Sequence, residues 1–354
     1  MRMKDCLLLL ASLVSLAPPV FALAADRILG FSARGVLLVS VPLLLVLLAI
    51  FVYALRTRHR IHGLILWGLV GGLLGTVALD AVRLVGVRLG AFPMDMPRMF
   101  GLIGGGLAPE FQTNTMATLV KATADLPEEQ RREVMRRRLH FLASVDETSR
   151  RAFIGAMMKG LLDLPPEKRM EMISTQMSLL GELDPEASGW VSASMSTVMG
   201  GGPALPVFPS GIELYLRVPR VPMNEFRTAA EFSYPRTLDE AMWSDGRVAA
   251  LGYLWHFMIG ATLGIAYTLL FGRGRWLWAF GWGAFVWLAM MLLMPVMMPM
   301  IHFPWWFPAV PFVAHMAMAV AIGGVALRFV KPEADAKSFV GLWRLDRQSA
   351  AAPG

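Results

Sequence analysis

The sequence of 354 residues contains a single cysteine, Cys6, and few charged side chains. A lone cysteine excludes a disulfide within the chain and any metal site built from several thiolates. Charged residues make up only 17% of the chain, whereas hydrophobic residues make up 56%. Since a typical soluble domain carries about 25% charged residues, this composition indicates a polytopic membrane protein that contacts the lipid bilayer.

Short motifs for several reactions are also absent. The sequence has no Gly-x-Ser-x-Gly nucleophile turn, no phosphate-binding loop and no His-Glu-x-x-His zinc motif. The net charge is +7, but nucleic-acid binding needs a clustered basic face, and no such cluster occurs outside short loops and the tail. We therefore predict a protein that is not an enzyme and does not bind nucleic acid.

The first residues resemble a secretory signal. Arg2 and Lys4 form a basic start, an apolar run covers residues 7–16, and a small-x-small cleavage pattern occupies residues 22–24. We predict a signal peptide over residues 1–25, and the alternative is an uncleaved first helix.

Five more apolar runs are long enough to cross a bilayer core of about 30 Å. They are Val36–Leu55, Ile61–Val82, Val248–Phe271, Trp276–Met298 and Ala309–Val330. We therefore predict transmembrane helices 1 and 2 within residues 36–90, and transmembrane helices 3 to 5 within residues 248–330.

Charge in the short connections predicts the orientation. Basic residues follow the first, third and fifth of these runs: Arg56, Arg58, Arg60, Arg273, Arg275, Arg328 and Lys331. Because positively charged short loops stay in the cytoplasm, residues 331–354 are predicted to form a cytoplasmic tail, and residues 91–247 to lie in the periplasm. The predicted location is the bacterial inner (plasma) membrane, crossed several times.

The exported segment contains an internal repeat. Residues 125–133 match residues 163–171 without gaps, and repeats of this length are typical of stacked helical pairs. We predict four or five short helices over residues 109–199, which would dock a protein partner on the periplasmic side. The proline-rich residues 203–234 are predicted to be extended and to cover the outer end of the bundle.

The membrane helices contain a second duplication. Two segments share the pattern His-x-x-x-small-x-x-x-small, and their residues are His256, Gly260, Gly264 and His315, Ala319, Gly323. On a helix these positions lie on one face, so each histidine points with two small residues towards a neighbouring helix. Each such helix follows a glycine-containing helix, which predicts one helix hairpin used twice.

This arrangement resembles the YagU-like bacterial inner-membrane proteins, which are small helical proteins with repeated His-x-x-x-Gly segments. The resemblance covers roughly residues 61–106 and 248–330. Ala319 replaces one glycine of the pattern, and the exported insert is a departure from it. The resemblance implies the fold of the membrane bundle and no defined chemistry.

Both histidines are expected in the external half of the bundle, where we predict a cofactor or metal site formed by His256 and His315. Further candidate metal ligands near the same depth are His302, Met294, Met297, Met298 and Met300. Methionine sulfur selects Cu(I), and haem iron accepts histidine, so copper and haem b are the candidate cofactors. The alternative is no cofactor, with the histidines as polar contacts between helices.

Asp80 and Arg83 lie one helical turn apart and are expected to form an ion pair, with a proton-carrying Asp80 as the alternative. Taken together, the sequence predicts an all-α polytopic transmembrane helix bundle with a duplicated hairpin and an inserted, exported all-helical repeat domain. The predicted function is a non-enzymatic accessory or binding protein. Two alternatives stay open: a transporter or channel for a small solute or ion, and a structural subunit of a larger membrane complex.

Overall fold

The computed structural model describes residues 3–29, 31, 33–92, 95–105, 120–121, 123–200, 221–222, 245–297 and 301–344. Its helices are α1 (Met3–Leu29), α2 (Ala33–Arg56), α3 (Ile61–Arg88), α4 (Met96–Gly104), α5 (Glu128–Ser144), α6 (Glu147–Leu162), α7 (Pro166–Leu180), α8 (Pro185–Met199), α9 (Asp245–Phe271), α10 (Trp276–Met297), α11 (Ala309–Phe329) and α12 (Pro332–Asp335). The all-α class is therefore confirmed. The described strands are a two-residue parallel pairing of β1 (Val221–Pro222) with β2 (Ile301–His302).

Six of the described helices are long and apolar enough to cross a membrane: α1, α2, α3, α9, α10 and α11. The chain is therefore a multi-pass integral membrane protein. By packing, it divides into two compact units. One contains residues 1–104, 249–294 and 305–354, and the other contains residues 105–248 and 295–304.

Helix boundaries differ from the predicted ones at several places. The clearest difference is α3, which continues past the predicted end at Val82 to Arg88. The prediction ended this helix at Val82, where the apolar run stops before Arg83. In the structure two carboxylates pair with that arginine, and the helix continues.

Helix α3 is the centre of the first unit, since glycines on two of its faces bring two other helices close. Towards α9, a Cβ added at Gly68 would lie 2.6 Å from Ile265 Cα, and one added at Gly72 would lie 2.8 Å from Ala261 Cα. These distances are shorter than real Cβ contacts, so the backbones of α3 and α9 touch directly. Such contact is typical of small residues between membrane helices.

The second face of α3 packs on α11. The glycines on this face lie three residues after those that contact α9. A Cβ at Gly75 would lie 3.0 Å from side-chain atoms of Met318 and Ile322. Helix α11 in turn packs closely on α10: a Cβ at Gly283 would lie 2.8 Å from Ala319 Cβ, and one at Gly323 would lie 2.6 Å from Ala279 Cβ. Small residues therefore determine how close the helices of this unit lie.

The first helix packs into the same unit. Helix α1 contacts α2, and the indole Nε1 of Trp255 on α9 donates a hydrogen bond of 2.9 Å to the Pro19 carbonyl. At the other end of the chain, α12 contacts α3, with Ala334 Cβ 3.5 Å from the position of a Cβ at Gly63. The predicted tail is thus in part packed on the membrane helices.

The second unit contains the four helices α5 to α8. Helices α5 and α7 both follow a proline in an extended conformation, Pro127 and Pro165. Helices α6 and α8 both begin after an aspartate, Asp146 and Asp184, whose carboxylate accepts from a backbone N–H three residues on. Each pair of starts is 38 residues apart, which is the offset of the sequence repeat. The predicted proline-rich cover lies almost entirely outside the described residues.

Candidate functional site

A cluster of charged side chains lies near the C-terminal end of α3. Asp80 and Arg83 are both buried, with 8% and 2% of their surface exposed. The Arg83 Nε donates to Asp80 Oδ1 at 2.8 Å, so the predicted ion pair is present. Because the pair is almost dry, removal of either partner would leave an uncompensated charge inside the protein.

Arg83 has two further partners from other segments. Its Nη1 donates to Asp95 Oδ1, and its Nη2 lies 3.4 Å from the Tyr253 hydroxyl. Asp95 comes within reach because the chain leaves α3 through a turn at Gly90, whose φ of +73° favours glycine. Arg83 therefore ties α3 to the start of α4 and to α9.

His256 on α9 completes this cluster. Its Nε2 lies 3.0 Å from Asp80 Oδ1, the same oxygen that accepts from Arg83. The ring is mostly buried, with 12% of the side chain exposed, and it packs 5.9 Å from the ring of Phe100 on α4. The sequence predicted that Asp80 pairs with Arg83, but it did not predict the contact of Asp80 with His256.

A sequence signal for that contact exists in the spacing of small residues. The close contact of α3 with α9 follows two lines of residues four apart: Gly68, Gly72, Thr76 and Asp80 on α3, and Thr268, Gly264, Gly260 and His256 on α9. The two helices are antiparallel along these lines. Asp80 and His256 are the outermost members of the two lines, and each therefore meets the other.

The hydrogen bonds determine which nitrogen of each imidazole carries a proton. His256 Nε2 faces a carboxylate oxygen, which accepts, so Nε2 carries the hydrogen and Nδ1 is the atom with a free lone pair. His315 on α11 is reversed: its Nδ1 lies 2.7 Å from the Pro311 carbonyl oxygen, so Nδ1 donates and Nε2 has the lone pair. In its neutral form, each imidazole thus has one nitrogen whose lone pair can bind a metal.

The structure places the predicted site residues as follows. His315 is buried, with 5% of its surface exposed. Met294 is also buried, at 1% exposure. The side chains of Met297 and His302, and all of Met298 and Met300, lie outside what the structure describes. The structure therefore describes only some of the side chains that were predicted as metal ligands.

Among the described residues, no three acidic, histidine or cysteine side chains lie together in an arrangement that could hold a metal ion. In the cluster itself, two carboxylates, Asp80 and Asp95, face two guanidinium groups, Arg83 and Arg98. The formal charge of these four side chains is zero.

A second charged cluster, which the sequence did not predict, lies at the opposite end of α3. Asp5 on α1 is buried, with 5% of its surface exposed. Its carboxylate accepts from His59 Nε2 at 2.8 Å and from Lys337 Nζ at 2.9 Å. His59 Nδ1 in turn accepts from the Ile61 backbone N–H at 3.3 Å, which leaves Nε2 as the donor. The available signal was the acid Asp5 at the start of the apolar run of the first helix.

Comparison of the chain with protein-family models, with curated proteins and with solved structures gave no match.

Proposed function

We propose that this chain is a non-enzymatic membrane-embedded binding protein that holds one metal ion, either copper or the iron of haem b, between His256 and His315. The observation that carries the proposal is the fixed orientation of both rings. Each imidazole directs one ring nitrogen at an oxygen, and in the neutral form its other nitrogen is available as a ligand. Histidines that bind metals are usually oriented in this way by a carboxylate or a backbone carbonyl.

The surroundings of His256 support this role. Asp80 receives two hydrogen bonds on one oxygen, one from the imidazole and one from Arg83. The arginine therefore keeps the carboxylate ionised and in place, and the carboxylate keeps the imidazole in place. Such orienting partners typically contribute 10–100-fold to metal affinity.

The choice between copper and haem rests on the remaining ligands. Methionine sulfur is a soft donor that selects Cu(I), and Met294 is a buried methionine of the same unit. A bis-histidine haem would need no sulfur ligand. His302, Met297, Met298 and Met300 are candidate copper ligands by sequence alone, because their side chains lie outside the described residues.

The test uses protein purified in a mild detergent from membranes of a bacterial host. We would measure the visible absorption spectrum and the metal content of the unaltered protein, of His256→Ala and of His315→Ala. A Soret band or about one copper per chain should disappear in both variants. His140→Ala, at an exposed position outside the membrane helices, is the matched control. A metal-free, colourless protein, or a signal that survives both variants, refutes the proposal.

A transporter or channel for a small ion is the second candidate function, and the charged cluster favours it. Asp80 and Arg83 are buried inside a membrane-length helix, and such residues often mark ion or proton pathways. Uptake of protons or metal ions into liposomes that contain the protein would test this. Transport that Asp80→Asn abolishes would favour the second candidate over the first.

We also propose the finer architecture. In the proposed duplication, α3 with α9 forms one hairpin and α10 with α11 forms the other. The support is that the small residues after each histidine contact small residues of the preceding helix. The resemblance to YagU-like proteins, the inner-membrane location and the periplasmic position of α5 to α8 belong to the same proposal. The orientation can be tested with a tag placed in residues 123–200 and a labelling reagent that does not cross the cytoplasmic membrane. Labelling in intact cells would support the proposed orientation.

We also propose that α5 to α8 bind a protein partner. If that binding is permanent, the chain is a structural subunit of a larger complex. The exposed faces of these helices carry many ion pairs, among them Arg131 with Glu171 and Arg132 with Glu182. Purification in mild detergent tests it: a stoichiometric second polypeptide that stays bound would support docking, and an isolated chain would oppose the complex.

A further inference from the structure

The second unit contains a cavity with several methionines in its lining, formed by other residues than the membrane histidines. All four helices α5 to α8 contribute to it. Its lining includes five methionines: Met135, Met157, Met158, Met172 and Met195. Five thioethers around one cavity are a concentration of soft donor groups, and soft donors select monovalent copper.

The size of the cavity limits what it can hold. Its volume is about 30 Å³, which is room for about two water-sized atoms. Pockets for drug-sized ligands are about ten times larger or more. A haem, a sugar or a lipid chain therefore does not fit, whereas a single desolvated ion does.

The lining also follows the sequence repeat. Met157 and Met195 are 38 residues apart, and so are Arg138 and Gln176, which line the cavity too. The Gln176 amide Nε2 donates to Met195 Sδ at 3.5 Å, a contact that orients this thioether. The cavity thus lies where the two helix pairs, α5 with α6 and α7 with α8, face each other.

We propose that this cavity binds one Cu(I) ion through methionine sulfur. The ion carries a positive charge, and the Arg138 guanidinium opposes it. Arg138 Nη2 donates to Thr123 Oγ1 at 2.7 Å, which holds that end of the side chain towards the hydroxyl. The arginine weakens the site without supplying a ligand, because a guanidinium has no lone pair to offer. This proposal does not rest on a metal between His256 and His315.

The experiment measures Cu(I) binding to the full chain in detergent by competition with bicinchoninate. The background is the His256→Ala/His315→Ala variant, which removes a metal held between these two histidines. We expect about one Cu(I) per chain, lost in Met157→Leu/Met195→Leu. The matched control is Met170→Leu/Met177→Leu, two methionines of the same unit that are 65% and 59% exposed, and it should bind as the background does.

Two more measurements keep the proposal testable if the cavity variant does not fold. Arg138→Gln copies the residue at the repeat-equivalent position, and removal of the nearby charge should raise Cu(I) affinity roughly tenfold. X-ray absorption of the copper-loaded background protein should show sulfur neighbours. No binding, binding that the cavity pair leaves unchanged, an unaltered affinity in Arg138→Gln, or nitrogen and oxygen neighbours alone would each overturn the proposal.

Discussion

The contact between α3 and α9 predicts that a single methyl group at Gly264 destabilises the membrane unit. In Gly264→Ala the new Cβ would lie 2.5 Å from Gly72 Cα, an atom of the facing backbone. Ordinary contacts of a Cβ begin at 3.4 Å. A backbone atom cannot rotate away as the end of a side chain can, so the two helices must separate by about 1 Å.

The cost of that separation has two parts. Overpacking of this kind costs about 1–3 kcal/mol. The hydrogen bonds between the helices also lengthen, namely Thr268 Oγ1 to the Leu64 carbonyl at 2.7 Å and His256 to Asp80 at 3.0 Å. Each bond of this type contributes about 0.6 kcal/mol in a membrane. We therefore expect Gly264→Ala to lower the free energy of unfolding by about 2–4 kcal/mol.

The assay is unfolding in mild detergent, followed by circular dichroism against temperature or added denaturing detergent. The matched control is Gly281→Ala on α10, where no described heavy atom lies within 4 Å of the new Cβ. Because alanine favours helix over glycine by up to about 1 kcal/mol, the control should be neutral or slightly stabilised. Equal stability of the two variants would show that α3 and α9 do not touch as described.

Four further outcomes are expected, each measurable on the full chain. Arg83→Leu should lower the free energy of unfolding by about 3–5 kcal/mol, because it removes the guanidinium from the buried Asp80 carboxylate and leaves that carboxylate with His256 alone; an unchanged unfolding midpoint would contradict the burial. Asp146→Ala removes the N-cap of α6 and should cost about 1 kcal/mol, read from the melting of the second unit. The hydrogen bond from Arg136 lowers the pKa of Glu182 below its ordinary 4.5, so stability from this pair is present above pH 4.5 and lost as pH falls through the lower folded value. Arg136→Gln should therefore weaken the acid dependence of unfolding, and an unaltered dependence would exclude this cause. Finally, the two hydrogen-bond donors of the buried Asp5 carboxylate, from His59 and Lys337, favour a retained first helix, so intact mass spectrometry should give about 39.0 kDa, and a loss of about 25 residues would support a cleaved signal instead.

Hydrophobic run length was enough to predict where the membrane helices lie, but it did not predict where they end. Helix α3 shows why. The sequence shows Arg83 as a charge at the edge of an apolar run, and the run was ended there. The pairing that lets the helix continue comes from Asp80 one turn earlier and from Asp95 beyond the turn at Gly90. The second partner depends on the path of the chain, which run length does not specify.

The site was predicted less completely, since it depends on which helices are neighbours. The sequence pattern correctly indicated that the small residues after His256 point towards another helix, and Gly260 and Gly264 do contact α3. It did not show that the line through Gly72 and Thr76 ends in Asp80 at the same height. Only the antiparallel pairing of the two lines brings that acid to His256.

The proposed duplication accounts for a difference between the two histidines: among the described residues, His256 contacts a carboxylate, whereas His315 contacts a backbone carbonyl. In α9, the residue one turn after His256 is Gly260, and a Cβ there would lie 3.0 Å from Thr76 Cβ. In α11, the residue one turn after His315 is Ala319, which meets Gly283. In the first hairpin, the residue of the facing helix one turn after Thr76 is Asp80.

In the second hairpin the same step leads from Gly283 to Trp287. Its indole Nε1 donates to the Pro308 carbonyl at 3.0 Å and cannot accept a proton from an imidazole. His315 therefore donates to its own helix, at Pro311, instead of to the facing helix. A carboxylate at one register position and an indole at the other thus give two similar helix pairs one charged site and one neutral site.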